Sequence, residues 1–165
     1  PSGSCVAMVR HQYPRLFTED SEWRTRALAV ADKTFEFTQF LVDILGVTDL
    51  GARVACKATY HDSCHLNRHL GIHDQPRILL QAVRDLRLVE MEDSERCCGF
   101  GGTFSLKYPE ISLAIVQDKV DNILSTEADL VVGCDMGCLM NIQGRLNRQG
   151  SAVQVKHIAQ VLSKR

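Results

Sequence analysis

Five of the seven cysteines in this chain fall in the pattern C-x32-CC-x35-C-x3-C: Cys64, then Cys97 with Cys98, then Cys134 and Cys138. A disulfide between the neighbours Cys97 and Cys98 would strain both the peptide and the S–S torsion. Four or five converging thiolates would instead form a soft site, which selects zinc or an iron–sulfur cluster over hard, oxygen-loving cations. The CC pair runs directly into Gly99, Gly101 and Gly102 in the stretch SERCCGFGGTFS. Glycines there let the backbone wrap closely round a bulky inorganic core and aim N–H groups at sulfur.

Histidines add to the pattern. His61, His65, His69 and His73 recur every four residues, and the first two bracket Cys64, a zinc-like spacing on a helix. His61 and His65 are expected to orient a thiolate or move a proton, with direct ligation as the alternative. Gly71 ends such a helix before His73, and His69 and His73 are expected at the surface. GFGGTF is not a dinucleotide fingerprint: it lacks the G-x-G-x-x-G spacing and the acidic residue that would hold a ribose. A thiol–disulfide catalyst is disfavoured because no C-x-x-C opens a helix.

The elements that must position these residues follow from periodicity. Apolar residues at helical spacing over 20–46 (Trp23, Ala27, Leu28, Ala31, Phe35, Phe40, Leu41, Ile44, Leu45) predict core-facing helix, in one or two pieces, capped by Asp20 or Ser21 and stopped by Gly46. Beyond Gly51 the pattern alternates. Strands are predicted at 53–62, 86–91, 128–134 and 152–157, and helical segments at 62–71, 75–83, 108–127, 135–150 and 158–165. Alternation of this kind predicts a Rossmann-like three-layer α/β domain with a mainly parallel sheet of about four strands, preceded by helices. Its core would be drawn from Val54, Leu88, Leu130, Val131, Val132, Val153 and Val155. Cys64, the CC pair and the late cysteines then follow three successive strands, at the carboxyl edge where such sheets bind ligands. Helix amino termini at that edge favour thiolates.

Composition excludes several functions. Nineteen basic against twenty acidic residues, with no run of like charge, argue against a nucleic-acid arm or an anionic-membrane patch. No apolar stretch approaches the ~20 residues of a membrane span, and no signal peptide opens the chain. An odd cysteine count with a CC pair suits a reducing cytosol. The opening PSGSCVAMVRHQYPRLF lacks a methionine and reads as the end of a strand entering a helix, as though the chain starts inside a structural unit.

The phrases TYHDSCH, CCGFGGTFSLKYPEIS, DMGCLMNIQGR and HIAQVL resemble the cysteine-rich, or CCG, domain family. That family includes the CCG-bearing component of heterodisulfide reductase and the glycolate oxidase iron–sulfur subunit, and the resemblance is strongest to its lactate-utilisation branch. It implies two CCG units in tandem, each associated with iron–sulfur chemistry. Cys5 aligns with Cys138, which makes residues 1–50 the tail of a missing first unit plus connecting helices, and 51–165 the CCG α/β domain. The wider family ends its motif in C-x-x-C, whereas here Asp135 stands three before Cys138 and Cys134 one further back. The resemblance therefore implies Cys64, Cys97, Cys98 and Cys138 as ligands of one 4Fe-4S cluster, with Cys134 or Asp135 nearby. It further implies a cytoplasmic electron-transfer subunit that works with iron–sulfur and third subunits to oxidise L-lactate to pyruvate. A zinc-binding structural or docking module would use the same four thiolates without redox chemistry.

Overall fold

The computed structural model describes residues 2–19 and 21–164. Four parallel strands, β1 (Arg53–His61), β2 (Arg84–Leu88), β3 (Leu130–Gly133) and β4 (Gln154–His157), form one sheet in the order β2-β1-β3-β4. Only the last four residues of β1 and all of β3 are fully buried, as expected of central strands covered on both faces.

Among the described residues the α-helices are α1 (Gly3–Ala7), α2 (Glu22–Asp32), α3 (Phe37–Gln39), α4 (Asp74–Gln81), α5 (Thr103–Lys107), α6 (Pro109–Ser125), α7 (Met136–Arg148) and α8 (Ile158–Leu162). On one face of the sheet Leu79 and Leu80 of α4 and Val161 and Leu162 of α8 pack on Ala58, Tyr60, Leu130 and Val132. On the other, Val116, Val120 and Ile123 of α6 and Ile142 and Leu146 of α7 pack on Val131. The result is the three-layer α/β sandwich that the alternation predicts. Leu130, Val131 and Val132 are buried, while Val54, Leu88, Val153 and Val155 border the two clusters half-buried.

The chain leaves β1 for β2 on one side and returns to place β3 on the other. The carboxyl ends of β1 and β3 therefore flank a topological switch point, the crevice where open α/β sheets bind ligands.

Three local expectations are corrected. Residues 3–16 are helical turns throughout: α1, a wide turn over Met8–Gln12 and a tight one over Tyr13–Leu16. No strand precedes them among the described residues. The second strand runs from Arg84 to Leu88 instead of 86–91: Arg84 already pairs with Arg53, and a bulge-like register shift, with Asp85 at a φ of 64°, separates that pair from Cys56–Leu86. Of the aromatic and aliphatic residues over 20–46, Leu41 packs half-buried against the α4–α8 cluster, with Phe37 and Val42 beside it, while Trp23, Leu28, Phe40, Ile44 and Leu45 are exposed and do not form core. α2 buries only Ala31, and Trp23 stays 61% exposed, packed against Phe17 and under the Arg26 guanidinium. Ser21 caps α2 by accepting from the Arg24 N–H at 3.1 Å, Asp20 lies outside the described residues, and Gly46, at φ 66°, ends the segment.

Candidate metal centre

β1 delivers His61 as its last residue, and the chain turns at once to carry Asp62, Ser63 and Cys64. Cys64 stands at the start of a wide turn over His65–His69, so the predicted helix there is a single turn that ends at Gly71 (φ 67°). After β2 a loop leads to Cys97 and Cys98. After β3, α7 places Cys138 in its first turn, the third residue past its cap Asp135.

These groups converge. Cys64 adjoins Cys97, Cys97 adjoins Cys98, and Cys98 adjoins Cys138. The ligand atoms of His61, Cys98 and Cys138, all buried, lie within 4.8 Å of one another. Four cysteines and one histidine thus share the crevice. Cys98 and Cys138 also belong to the apolar cluster between the sheet and α6–α7, so the inner half of the site is walled by hydrocarbon.

The protonation pattern is that of a site built for anionic sulfur. The adjoining thiols of Cys64 and Cys98, with the N–H of Gly99 at 3.3 Å, hold Cys97 far below the usual thiol range. Cys138 is lowered to about 6, first by the Cys98 thiol and then by the His61 imidazole. Cys64 and Cys98 are pushed up, each chiefly by a sulfur neighbour that takes the negative charge. The four sulfurs share protons among them, because adjacent sulfurs cannot all ionise without a cation between them. Metal binding should displace the protons that remain on the thiols and tighten as pH rises.

His61 provides an independent test of fit. Its ring is 1% exposed, and neither nitrogen makes a hydrogen bond of good geometry, the Cys138 and Cys98 sulfurs within 4.8 Å being the polar atoms that it faces. A buried imidazole without such a bond costs free energy, and a soft metal or cluster among the thiolates gives it a partner. His65 borders the site from its exposed side: its Nδ1 hydrogen-bonds the Cys64 sulfur at 3.7 Å, and its ring packs 4.9 Å from His69. His69 and His73 are exposed.

Cys134 and Asp135 are not gathered with the four thiols. Leu130, Val132 and Cys134 alternate along one line and face α4 and α8, the sheet face opposite Cys138. There the Cys134 sulfur lies 3.3 Å from the Tyr60 hydroxyl, and burial raises its pKa. Asp135 is the cap of α7, with Oδ1 accepting from the Gly137 N–H at 3.1 Å and Oδ2 from the Ser4 N–H at 3.2 Å. Both oxygens are therefore engaged with the ends of two helices.

The glycine loop is held from behind. Gly99, Gly101 and Gly102 have φ of 79°, 53° and 59°. Asn141 of α7 donates to the Cys98 carbonyl at 2.8 Å, and Ser112 of α6 donates to the Gly99 carbonyl at 2.8 Å. A Cβ at Gly99 would stand 2.6 Å from the Ser112 carbonyl oxygen. Gly99→Ala should therefore lower stability by about 1–3 kcal/mol. Gly150→Ala, at φ 69° with nothing within 4 Å, should cost only about 1 kcal/mol. Equal losses in a denaturant titration of the two variants would refute the close approach.

The sequence reading missed the groups that brace the site. Arg77 donates to both oxygens of the fully buried Asp62, at 3.0 and 2.7 Å, and to Glu90. Ser94 donates to Asp62 through its hydroxyl and accepts the Asp62 N–H at its carbonyl. The end of β1 is thereby tied to the loop that carries the CC pair. Asn141 alone left a signal, since it lies three residues past Cys138 on the same helix face.

Comparison with known proteins gives three findings. Residues 58–143 match the family described as Cysteine-rich domain. The chain is 55% identical over 163 residues to the lactate utilization protein A of an Exiguobacterium species, covering 99% of this chain and 66% of that protein. It is 53% identical over 165 residues to the lactate utilization protein A of Anoxybacillus flavithermus, covering 100% of this chain and 69% of the relative. The chain thus spans about two thirds of the length of the relatives it matches.

Proposed function

The chain belongs to the cysteine-rich domain family, and from that membership we propose that it is an iron–sulfur subunit that passes electrons in the oxidation of L-lactate to pyruvate. The observation that carries this reading is the gathering of Cys64, Cys97, Cys98 and Cys138 at the switch point of a parallel sheet. The name shared by the relatives supplies the substrate.

In this reading the four thiolates would hold a 4Fe-4S cluster, which when bound supplies a one-electron store. The chain's own groups do the rest. Gly99 and its neighbours present backbone to the site and direct an N–H at the Cys97 sulfur. The Asp62–Arg77–Ser94 network fixes the end of β1 against the CC loop. α7 brings its positive amino end to Cys138, and the hydrocarbon around Cys98 excludes water from the inner half.

The same reading takes residues 1–50 as the tail of a preceding unit with connecting helices, and residues 51–165 as the second unit. The caps of α1 and α7 support it. Ser2 caps α1 and Cys5 is the third residue after it, just as Asp135 caps α7 and Cys138 is the third after it. Val6 and Leu139, the next residues, are both buried. A cytoplasmic location and partner iron–sulfur and third subunits complete the proposal. Among the described residues no helix is long and apolar enough to cross a membrane.

The grouping of His61 with Cys98 and Cys138 also favours a zinc-holding docking module as the second reading. Anaerobic purification of the complete subunit, with iron, sulfide and zinc analysis and electron paramagnetic resonance, separates the two. The expected result is iron and sulfide in equal amounts with a reducible paramagnetic signal. Stoichiometric zinc without iron would replace the redox reading with the docking module.

A further inference from the structure

Lys119, on α6, is 0% exposed, yet its ammonium goes to neutral acceptors. It donates to the carbonyls of Asp93 at 2.7 Å and Ser94 at 3.1 Å, and reaches the sulfur of Met91 at 3.7 Å. A lysine is almost never fully buried without a paired charge, and an uncompensated buried cation is costly. Its helix neighbours Val116 and Val120, with Met91, belong to the apolar cluster that contains Cys98 and Cys138. The charge therefore sits against the wall of the thiol site in a medium that screens it weakly.

Burial lowers the Lys119 pKa to about 8, against the pull of Glu95, Asp62, Asp93 and Cys98, so the group keeps its proton at neutral pH. Two carbonyl dipoles hold it in place. It is a cation fixed before any electron arrives, with little reorganisation left to make.

We propose that Lys119 is the fixed positive charge that favours the reduced state of the centre held by Cys64, Cys97, Cys98 and Cys138, an inference that rests on the iron–sulfur reading above. Each electron accepted from a donor adds one negative charge to the centre, and the ammonium attracts it. A unit charge at this depth, with an effective dielectric of about 20, shifts the equilibrium for one-electron reduction by on the order of tenfold, which is about 59 mV. Lys119 is a positioning and tuning residue, since it touches none of the sulfurs.

The test uses the complete subunit, purified anaerobically and titrated with dithionite while its paramagnetic signal is followed. Lys119→Met removes charge and donor, Lys119→Gln removes charge but keeps a donor for the carbonyls, and Lys119→Arg keeps the charge. The expected result is a roughly tenfold loss of reducibility in the Met and Gln variants, with iron content retained, and a wild-type potential in the Arg variant. Wild-type potential in the Met or Gln variant with iron retained overturns the inference. A shift in Met but not in Gln also overturns it, because the loop hydrogen bonds and not the charge would then set the potential. Wild-type protein without iron sinks the iron–sulfur reading itself, and that result is read before any variant is compared.

Discussion

On the iron–sulfur reading, Cys98→Ser should lose the metal centre and keep its fold. The substitution exchanges a soft sulfur for a hard, poorly ionised hydroxyl of nearly the same volume, so affinity for a thiophilic metal or cluster should fall by more than about 100-fold. Cys97→Ser should behave alike, since Cys97 is the sulfur most strongly driven to the anion. The scaffold does not depend on that bond. Two apolar clusters cover opposite faces of a four-stranded sheet, and a chain of this size buries enough surface to fold without metal. The melting temperature should therefore move by no more than about 4 °C. Iron content and circular dichroism on the same samples decide it. Loss of the cooperative melt along with the metal would mark the centre as structural, and full iron in both variants would remove the CC pair from the site.

Arg77→Ala should produce a large loss of stability. Asp62 has no exposed surface, and Arg77 is its bidentate partner, so truncation leaves a buried carboxylate with the Ser94 hydroxyl and, at 3.7 Å, the His73 imidazole as its remaining polar neighbours. Breaking such a pair costs about 3–5 kcal/mol, or roughly 10 °C in a domain of this length. It also removes the guanidinium that lies 5.0 Å over the Tyr60 ring. Glu90→Ala provides the contrast: Glu90 meets the same guanidinium from its exposed side, and its loss should cost no more than about 1 kcal/mol. Because Asp62 joins β1 to the CC loop, Arg77→Ala should also bind iron more weakly than wild type. Equal stability of the two variants would remove the buried pair from its proposed role.

Most of the scaffold was legible because its signals are local. Strand-sized apolar runs alternating with helical periods gave the layers and the parallel order, and the placement of cysteines after successive strands gave the crevice. The site was less legible wherever a side chain's job depends on a distant neighbour. Asp62 and Arg77 are fifteen apart and share no pattern, and Lys119 reads in sequence like any solvated charge on α6. Cys134 was readable in part, since counting by twos from Leu130 puts it on the face away from Cys138. Trp23 and Leu28 misled because helical spacing reports a stripe without saying what covers it.

Asp135 stands where the resemblance leads one to expect a further cysteine, and it spends both carboxylate oxygens on the N–H groups of Gly137 and Ser4. A thiolate there could not hold two helix ends with comparable hydrogen bonds, and a carboxylate cannot serve as a soft ligand. One residue thus serves architecture in place of ligation: exchanging it for cysteine would unfasten α1 from α7.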